Sequence, residues 1–429
     1  MTSPIKNLSV LLLVSIIAGF FTGIVGGAFH YSIEWLYTHL LNLLLYLRLQ
    51  EWLISPLFLV MIISASCLAA ARALVRLSPE ASGSGIQHVE AVFKGLASPA
   101  PLKTLPIKFI GGLLAMAPGS ALGREGPTVQ MAAIIGTYFG KLAKLNLKDQ
   151  FTLYSSVAGA GLAVAFNAPL SGAAFVLEEV AKKVTTETTL IVLAAVASSI
   201  FSFWYFFGDE LNFKVIITHA PNYQTILWLT VLGVLCGAAS ALYNKSILWA
   251  IQEFNNYPRV LPEIRAGIVG ATIGLIVWNF PFAAGGGEVY SQNILNEMLS
   301  PWVLFVLLVL RWFMGPLSYS AGTPGGLFAP ILLLGAIIGS LFACGLNEAF
   351  GTQHEIAYFG LVGMAALFAG VVRAPLTGVL LVTEMTNTTL LIVPLLSAAV
   401  AAVLVANLMK NEPIYDSLLK KYRVTPRKS

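Results

Sequence analysis

Gly123-Arg124-Glu125-Gly126-Pro127 sets an acid and a base in a frame of glycine inside an otherwise apolar stretch. A charge at membrane depth costs roughly 2.5–3.5 kcal/mol on insertion scales, so such groups tend to line polar cavities and serve function. Glycine lets an ion approach the backbone, and Pro127, near the start of the following helical run, needs no N–H there. The free amides of that helix start point at whatever precedes it, and a helix N-terminus with bare N–H groups is an anion site. Gly325-Gly326-Leu327-Phe328-Ala329-Pro330 supplies a second such start, with Leu327 and Phe328 in the slots of Arg124 and Glu125. Two helix starts would therefore converge, and only one of them carries an ionisable group. A carboxylate beside an anion site competes with the anion when charged and withdraws when protonated, which is the physics of a proton-coupled gate. The rival reading of Glu125 is an ion pair with Arg124 or another buried base that only holds the fold. Adjacent residues do not face one another on a helix, and the glycine frame suits no packing role, so the gate is preferred.

Other polar groups are ambiguous by themselves. Ser84, in Gly83-Ser84-Gly85-Ile86, offers a hydroxyl at a further helix start, but a serine between glycines is ordinarily a turn or an N-cap. Tyr415, in Glu412-Pro413-Ile414-Tyr415, reads in isolation as an interfacial aromatic anchor. Glu178 and Glu179 end an apolar run just before Lys182 and Lys183, and both a solvated helix end and an internal proton port fit them. His30, His39, His219 and His354 stand apart without metal-ligand spacing, and His88 has only Glu90 nearby, so no metal site is expected. Gly285-Gly286-Gly287 does not open into a Walker pattern, and Gly159-Ala160-Gly161 lacks the downstream glycine of a dinucleotide fingerprint. An intramembrane hydrolase using Ser84, His88 and Glu90 would need these three to meet across a cavity, and it leaves the duplicated anion sites unexplained.

The elements that must position these groups belong in a bilayer. Of 429 residues 57% are hydrophobic and only 10% charged, against roughly 25% charged in a soluble domain; the mean hydropathy is +0.81. Leu8 to Leu47, Leu53 to Leu74, Thr188 to Phe207, Thr225 to Ala250, Val303 to Leu317 and Thr388 to Met409 are apolar runs, several reaching the ~20 residues that cross a hydrocarbon core. Ile107 to Met116, Thr128 to Leu142, Leu153 to Phe166 and Ile356 to Val371 are shorter or broken by Gly and Pro, as helices that end inside a membrane would be. The first run is too long for a signal peptide and reads as a retained, tilted helix. Lys410, Lys420, Lys421, Arg423, Arg427 and Lys428 crowd the tail and Lys6 precedes the first helix, so both termini are expected on the cytoplasmic side. Such a tail is an orientation signal or lipid contact rather than a nucleic-acid site. Cys67, Cys236 and Cys344 read as small buried hydrophobes, with neither disulfide nor metal.

The chain also repeats itself. Gly123, Pro127 and Ala133-Ile134-Ile135-Gly136 recur as Gly326, Pro330 and Ala336-Ile337-Ile338-Gly339, 203 residues on (326 less 123, 339 less 136). Ala168-Pro169-Leu170-Ser171-Gly172 recurs as Ala374-Pro375-Leu376-Thr377-Gly378, and Glu178 and Glu384 follow their motifs at equal intervals. A period this long indicates a tandem duplication of the kind found in transporters and channels, with a site at the repeat interface. The expected organisation is one transmembrane domain over 1–429: a first half at about 8–207, a polar linker at about 208–224 that includes Gly208-Asp209-Glu210, a second half at about 225–409, and a short tail, 410–429, carrying Tyr415. No cytosolic module is expected after Met409.

In this order, Gly83-Ser84-Gly85-Ile86, Gly123 to Pro127 and Gly325 to Pro330 resemble the three anion-site signatures of the CLC chloride channels and transporters. The likeness runs from the first long helix to Tyr415. It implies an all-α polytopic fold of two inverted repeats with many tilted, non-spanning helices, assembled as a homodimer with one pore per subunit. It implies that Ser84 and Tyr415 donate hydroxyls, and Leu327 and Phe328 backbone amides, to a central chloride. Glu125 matches the external gating glutamate. Glu179, in the segment from Asn167 to Glu179, matches the internal proton-transfer glutamate found in exchangers and replaced in many channels. One departure stands out: the first signature usually ends in Pro, and here Gln87 takes that place. Ser84 is kept where nitrate-preferring relatives have Pro, and the glutamate motif does not depart as in fluoride exporters, so chloride is the expected ligand.

The function expected is stoichiometric exchange of chloride for protons across a membrane, with no enzymatic activity and no cofactor. A passive chloride channel of the same fold is the alternative, and the hydrolase a distant third. The missing cytosolic modules point to a bacterial inner membrane.

Overall fold

The computed structural model describes all residues except 1–3, 50–54, 181–184, 210–212, 216, 297–298 and 424–429. Lys182, Lys183, Glu210, Arg427 and Lys428 lie outside the described residues. Helices and short turns account for the secondary structure, as a bilayer demands, because a helix satisfies its own backbone hydrogen bonds within one segment.

The first half comprises α1 (Pro4–Leu49), α2 (Pro56–Leu77), α3 (Ile86–Phe93), α4 (Thr104–Met116), α5 (Glu125–Leu142), α6 (Leu147–Phe166), α7 (Pro169–Phe175) and α8 (Thr186–Phe207). The second comprises α9 (Tyr223–Asn255), α10 (Pro262–Asn279), α11 (Glu288–Leu295), α12 (Pro301–Ser320), α13 (Phe328–Phe350), α14 (Ile356–Val372), α15 (Pro375–Thr386) and α16 (Ile392–Leu408), with α17 (Ile414–Arg423) following. At 46 residues, α1 is about 69 Å long at ~1.5 Å per residue, roughly twice the hydrocarbon thickness, so a helix crossing the core along its whole length is steeply tilted. Large apolar side chains such as Leu13, Phe201, Trp249, Trp302 and Phe313 are exposed on outer faces, where lipid accepts them.

One expectation from the apolar runs changes, and one helix of spanning length falls outside them. Thr388 to Met409 yields a helix only from Ile392, because residues 388–391 form the turn after α15. Phe328–Phe350 is long and apolar enough to span, yet 72% of its most apolar window is buried, so protein rather than lipid surrounds it. Cysteines differ too: Cys236 is buried, whereas Cys67 and Cys344 are half-buried.

The repeat extends further than its sequence matches. α1 packs on α8 as α9 packs on α16, and α5 on α6 as α13 on α14, while α2 meets α10 and α7 meets α15 across the seam. Small residues allow these approaches: Gly19 lies on the backbone of Ala195, and Gly233 on that of Ala398. Gly285-Gly286-Gly287 proves to be the counterpart of Gly83-Ser84-Gly85, 202 residues on (285 less 83). Each loop follows a short turn, Pro79–Ala81 or Pro281–Ala283, and leads into α3 or α11. Gly83 and Gly85 have φ of 66° and 93°, Gly285 and Gly287 of 74° and 110°, a left-handed region that favours glycine.

Candidate functional site

The loops before α5 and α13 meet at the seam between the halves. Gly123 N–H donates to Gly326 O at 2.9 Å and Gly326 N–H donates to Gly123 O at 2.6 Å, the reciprocal pair a two-fold axis produces. The Gly83 loop joins them: Gly83 N–H donates to Thr323 O at 3.2 Å and Gly325 N–H to Gly83 O at 3.1 Å. Glycine is required at the centre because a Cβ on Gly123 or Gly326 would overlap the Glu125 carboxylate, and one on Gly126 would overlap the Ser84 hydroxyl.

Glu125 is fully buried, and its Oε1 accepts the Phe328 amide proton at 2.6 Å. The carboxylate of the first half thus occupies the amide of the second half's helix start, where the positive end of the α13 dipole favours a negative group. Phe328 itself is walled in by Phe368 and Phe175, with ring centroids at 4.6 and 5.6 Å, and by Tyr415 at 5.8 Å. Leu327 is the residue before α13 and is also buried. Pro127 and Pro330 are each third in their helices, where the missing N–H breaks no helical bond.

Tyr415 is wholly buried, which corrects its reading as an interfacial anchor. Its hydroxyl lies beside that of Ser84 and close to Tyr319, Glu125 and Glu90. Neither the Ser84 nor the Tyr415 oxygen has a well-formed hydrogen bond to protein, an arrangement suited to a ligand that accepts hydrogen bonds. The expected set of Glu125, Ser84, Phe328 and Tyr415 is therefore brought together from α5, the α3 loop, α13 and α17.

Three further residues take part. Lys108, fully buried on α4, donates from Nζ to Ala81 O at 3.0 Å and Gly83 O at 2.7 Å. Its counterpart Arg311 on α12 donates to Ala283 O at 2.9 Å, Gly285 O at 2.6 Å and Gly286 O at 2.8 Å. The two cations stand 203 residues apart (311 less 108), and each holds the carbonyls of one glycine loop. A lone cation inside an apolar helix was the available signal for both. The third, Tyr319, receives the Ser84 N–H at 3.4 Å; nothing in the local sequence marks it.

Outside the buried carboxylate lies a cavity of about 260 Å³ lined by Glu34, Tyr37, Gly123, Arg124, Gly286 and Tyr290 among others. Arg124 Nε donates to Ala165 O at 3.0 Å, and Nη1 lies 4.0 Å from Glu34, which also takes His30 Nε2 at 2.8 Å.

Glu178 and Glu179 divide. Glu178 accepts from Leu376 N–H at 3.0 Å, Thr377 N–H at 2.8 Å and Thr377 Oγ1 at 2.8 Å, capping α15 of the other half. Glu384 returns the contact, accepting from Leu170 N–H at 2.8 Å, Ser171 N–H at 2.8 Å and Ser171 Oγ at 2.5 Å at the start of α7. A reciprocal cap replaces the solvated helix end. Glu179 instead is buried on the widened helical turn Val176–Val180, against which α3 packs. Of the residues a hydrolase would need, His88 Nδ1 pairs with Tyr154 Oη at 3.1 Å and Glu90 lies 3.6 Å from Lys94 Nζ. No group of three metal-ligating side chains occurs among the described residues.

A family profile described as Voltage gated chloride channel matches residues 66–407. The H(+)/Cl(-) exchange transporter ClcA of Vibrio cholerae serotype O1 is 34% identical over 426 residues, 96% of this chain and 89% of that protein. The ClcA of Vibrio campbellii is 36% identical over 395 residues, 86% of this chain and 82% of that protein. Among solved structures, a slow cyanobacterial Cl-/H+ antiporter superposes with a TM-score of 0.90 at 29% identity, covering 97% of this chain and 99% of the other. A profile match over most of the length, together with relatives 34–36% identical across most of both chains, establishes that this multi-pass membrane chain belongs to the CLC family of voltage-gated chloride channels and transporters.

Proposed function

We propose that the chain exchanges chloride for protons, with Glu125 as the gate and Glu179 as the internal proton-transfer group. The observation that carries this reading is the Glu125 carboxylate on the Phe328 amide at 2.6 Å. Charged, it fills the position an anion needs. Protonated, it loses the attraction to the helix start and leaves, so an anion takes its place. Chloride then sits among the Ser84 and Tyr415 hydroxyls and the Leu327 and Phe328 amides. Lys108 stands one carbonyl away, biasing the site toward anions without the contact of a full ion pair, which keeps release fast. The proton held by Glu125 passes toward Glu179, which is buried while its neighbour Glu178 is committed to a cap. No cofactor takes part.

The protein is read as one transmembrane domain with halves at about 8–207 and 225–409. It is read as a homodimer with a pore in each subunit, in a bacterial inner membrane with both termini cytoplasmic. Purified protein in liposomes with a chloride gradient and a pH electrode tests the exchange. Proton uptake driven by the chloride gradient is expected. A voltage that follows the chloride Nernst potential at every pH would assign the chain to passive conduction instead.

A further inference from the structure

The place where the first signature departs from its usual proline lies against a tyrosine that no motif contains. Tyr319, in the last turn of α12, is almost entirely buried, as is Gln87 on the first turn of α3. Both side chains crowd the same side of Gly83: a Cβ there would lie 3.1 Å from Tyr319 Oη and 3.2 Å from Gln87 Nε2. The Gln87 side chain lies against the phenol, and the Ser84 N–H donates to the phenol oxygen at 3.4 Å.

We infer that Tyr319, held in place by Gln87, is a third hydroxyl donor of the central anion site and helps to set how tightly chloride is retained there. The inference rests on the reading of Ser84 and Tyr415 as anion donors. A phenol has two acceptor lone pairs and one proton to give. One lone pair takes the Ser84 amide, and the O–H is left to give to a ligand beside Ser84. The Ser84 and Tyr415 hydroxyls are the ones without a well-formed protein partner, so three O–H groups from α12, α17 and the α3 loop surround one position. An anion there accepts from all three, whereas a cation or a neutral acceptor-poor ligand would leave them unmatched.

Gln87 is what holds the phenol in the proposed arrangement. Proline at 87 could not donate to the phenol. Gln87 Oε1 is buried with no hydrogen-bond partner, an arrangement costly in a dry core and tolerable where water accompanying the anion can donate to it.

Isothermal titration of chloride into the purified full chain in detergent tests the inference. The set comprises wild type, Tyr319→Phe, Gln87→Ala, the double variant and Ser84→Ala, each checked for monodispersity and thermal midpoint. Loss of one hydrogen bond to an anion should weaken chloride binding of Tyr319→Phe by about 10-fold or more. Gln87→Ala should weaken it less, and should add nothing once Tyr319 is Phe, because it acts only through the phenol. Unchanged affinity in a folded Tyr319→Phe overturns the inference while leaving the central site intact, and so does simple additivity of the two changes. Should Tyr319→Phe misfold, Gln87→Ala alone decides: unchanged affinity there overturns the Gln87–Tyr319 arrangement. A wild type that binds no chloride, or a Ser84→Ala variant that binds it as well as wild type, removes the central-site reading and this inference together.

Discussion

The carboxylate of Glu125 accepts the amide proton of Phe328 at 2.6 Å across 203 residues of chain. The contact joins equivalent positions of the two halves, so one ionisable side chain closes a site that both halves build. Protonation is the natural way to break it, since a neutral carboxyl holds a helix N-terminus more weakly than a carboxylate.

Replacing Glu125 by Gln therefore removes proton movement and leaves chloride flux. In liposomes, proton uptake is expected to fall to background while chloride efflux persists. The sign of the pH dependence also follows. Wild-type exchange rises as pH falls, because protonation clears the site, and the Gln variant is flat with pH. Proton uptake retained in Glu125→Gln would sink the gating role.

Glycine 326 gives an independent test of the same contact. A Cβ at Gly326 would overlap the Glu125 carboxylate and approach the Gly126 amide. Gly326→Ala should displace the carboxylate, raising uncoupled chloride flux severalfold and lowering the protons moved per chloride. A variant that is folded and normally coupled would show that the carboxylate does not need this space.

The adjacent acids should separate cleanly. Glu178→Gln breaks charge-assisted bonds to Leu376 and Thr377, at a cost of about 1.5–3 kcal/mol, and is expected to lower the thermal midpoint while coupling persists. Glu384→Gln should do the same through Leu170 and Ser171. Glu179→Gln is expected to abolish or uncouple proton transport with a smaller loss of stability. Melting curves and proton flux on the three variants, measured together, distinguish cap from port; an uncoupled Glu178→Gln would reverse the assignment.

Lys108→Met keeps the length of the side chain and removes its ammonium from Ala81 O and Gly83 O. Loss of these bonds should destabilise the protein by about 2–4 kcal/mol. Chloride affinity is expected to drop about tenfold, because a nearby cation is lost and the Gly83 loop is loosened. Calorimetric titration checks the affinity, and a value equal to wild type would limit Lys108 to a structural role.

Much of this was determined by the sequence alone. Composition places the chain in a membrane, the long runs become helices, and the matched glycine and proline motifs identify two helix starts, one with Glu125 and one with Phe328. These are local signals: hydrophobic length, backbone permissiveness at glycine and the missing N–H of proline act within a few residues. What tertiary structure decided is which polar groups meet. Lys108 and Arg311 resemble stray charges until each is seen gripping the carbonyls of a glycine loop. Gly285-Gly286-Gly287 shares only two glycines with Gly83-Ser84-Gly85 and becomes its counterpart through backbone angles. Glu178 and Glu179 are indistinguishable as neighbours, yet one reaches across to cap α15 and the other turns inward. Tyr319 carries no local mark at all. Hydrogen bonds between halves depend on how two helices of distant sequence are set against each other, and no periodicity within either helix records that.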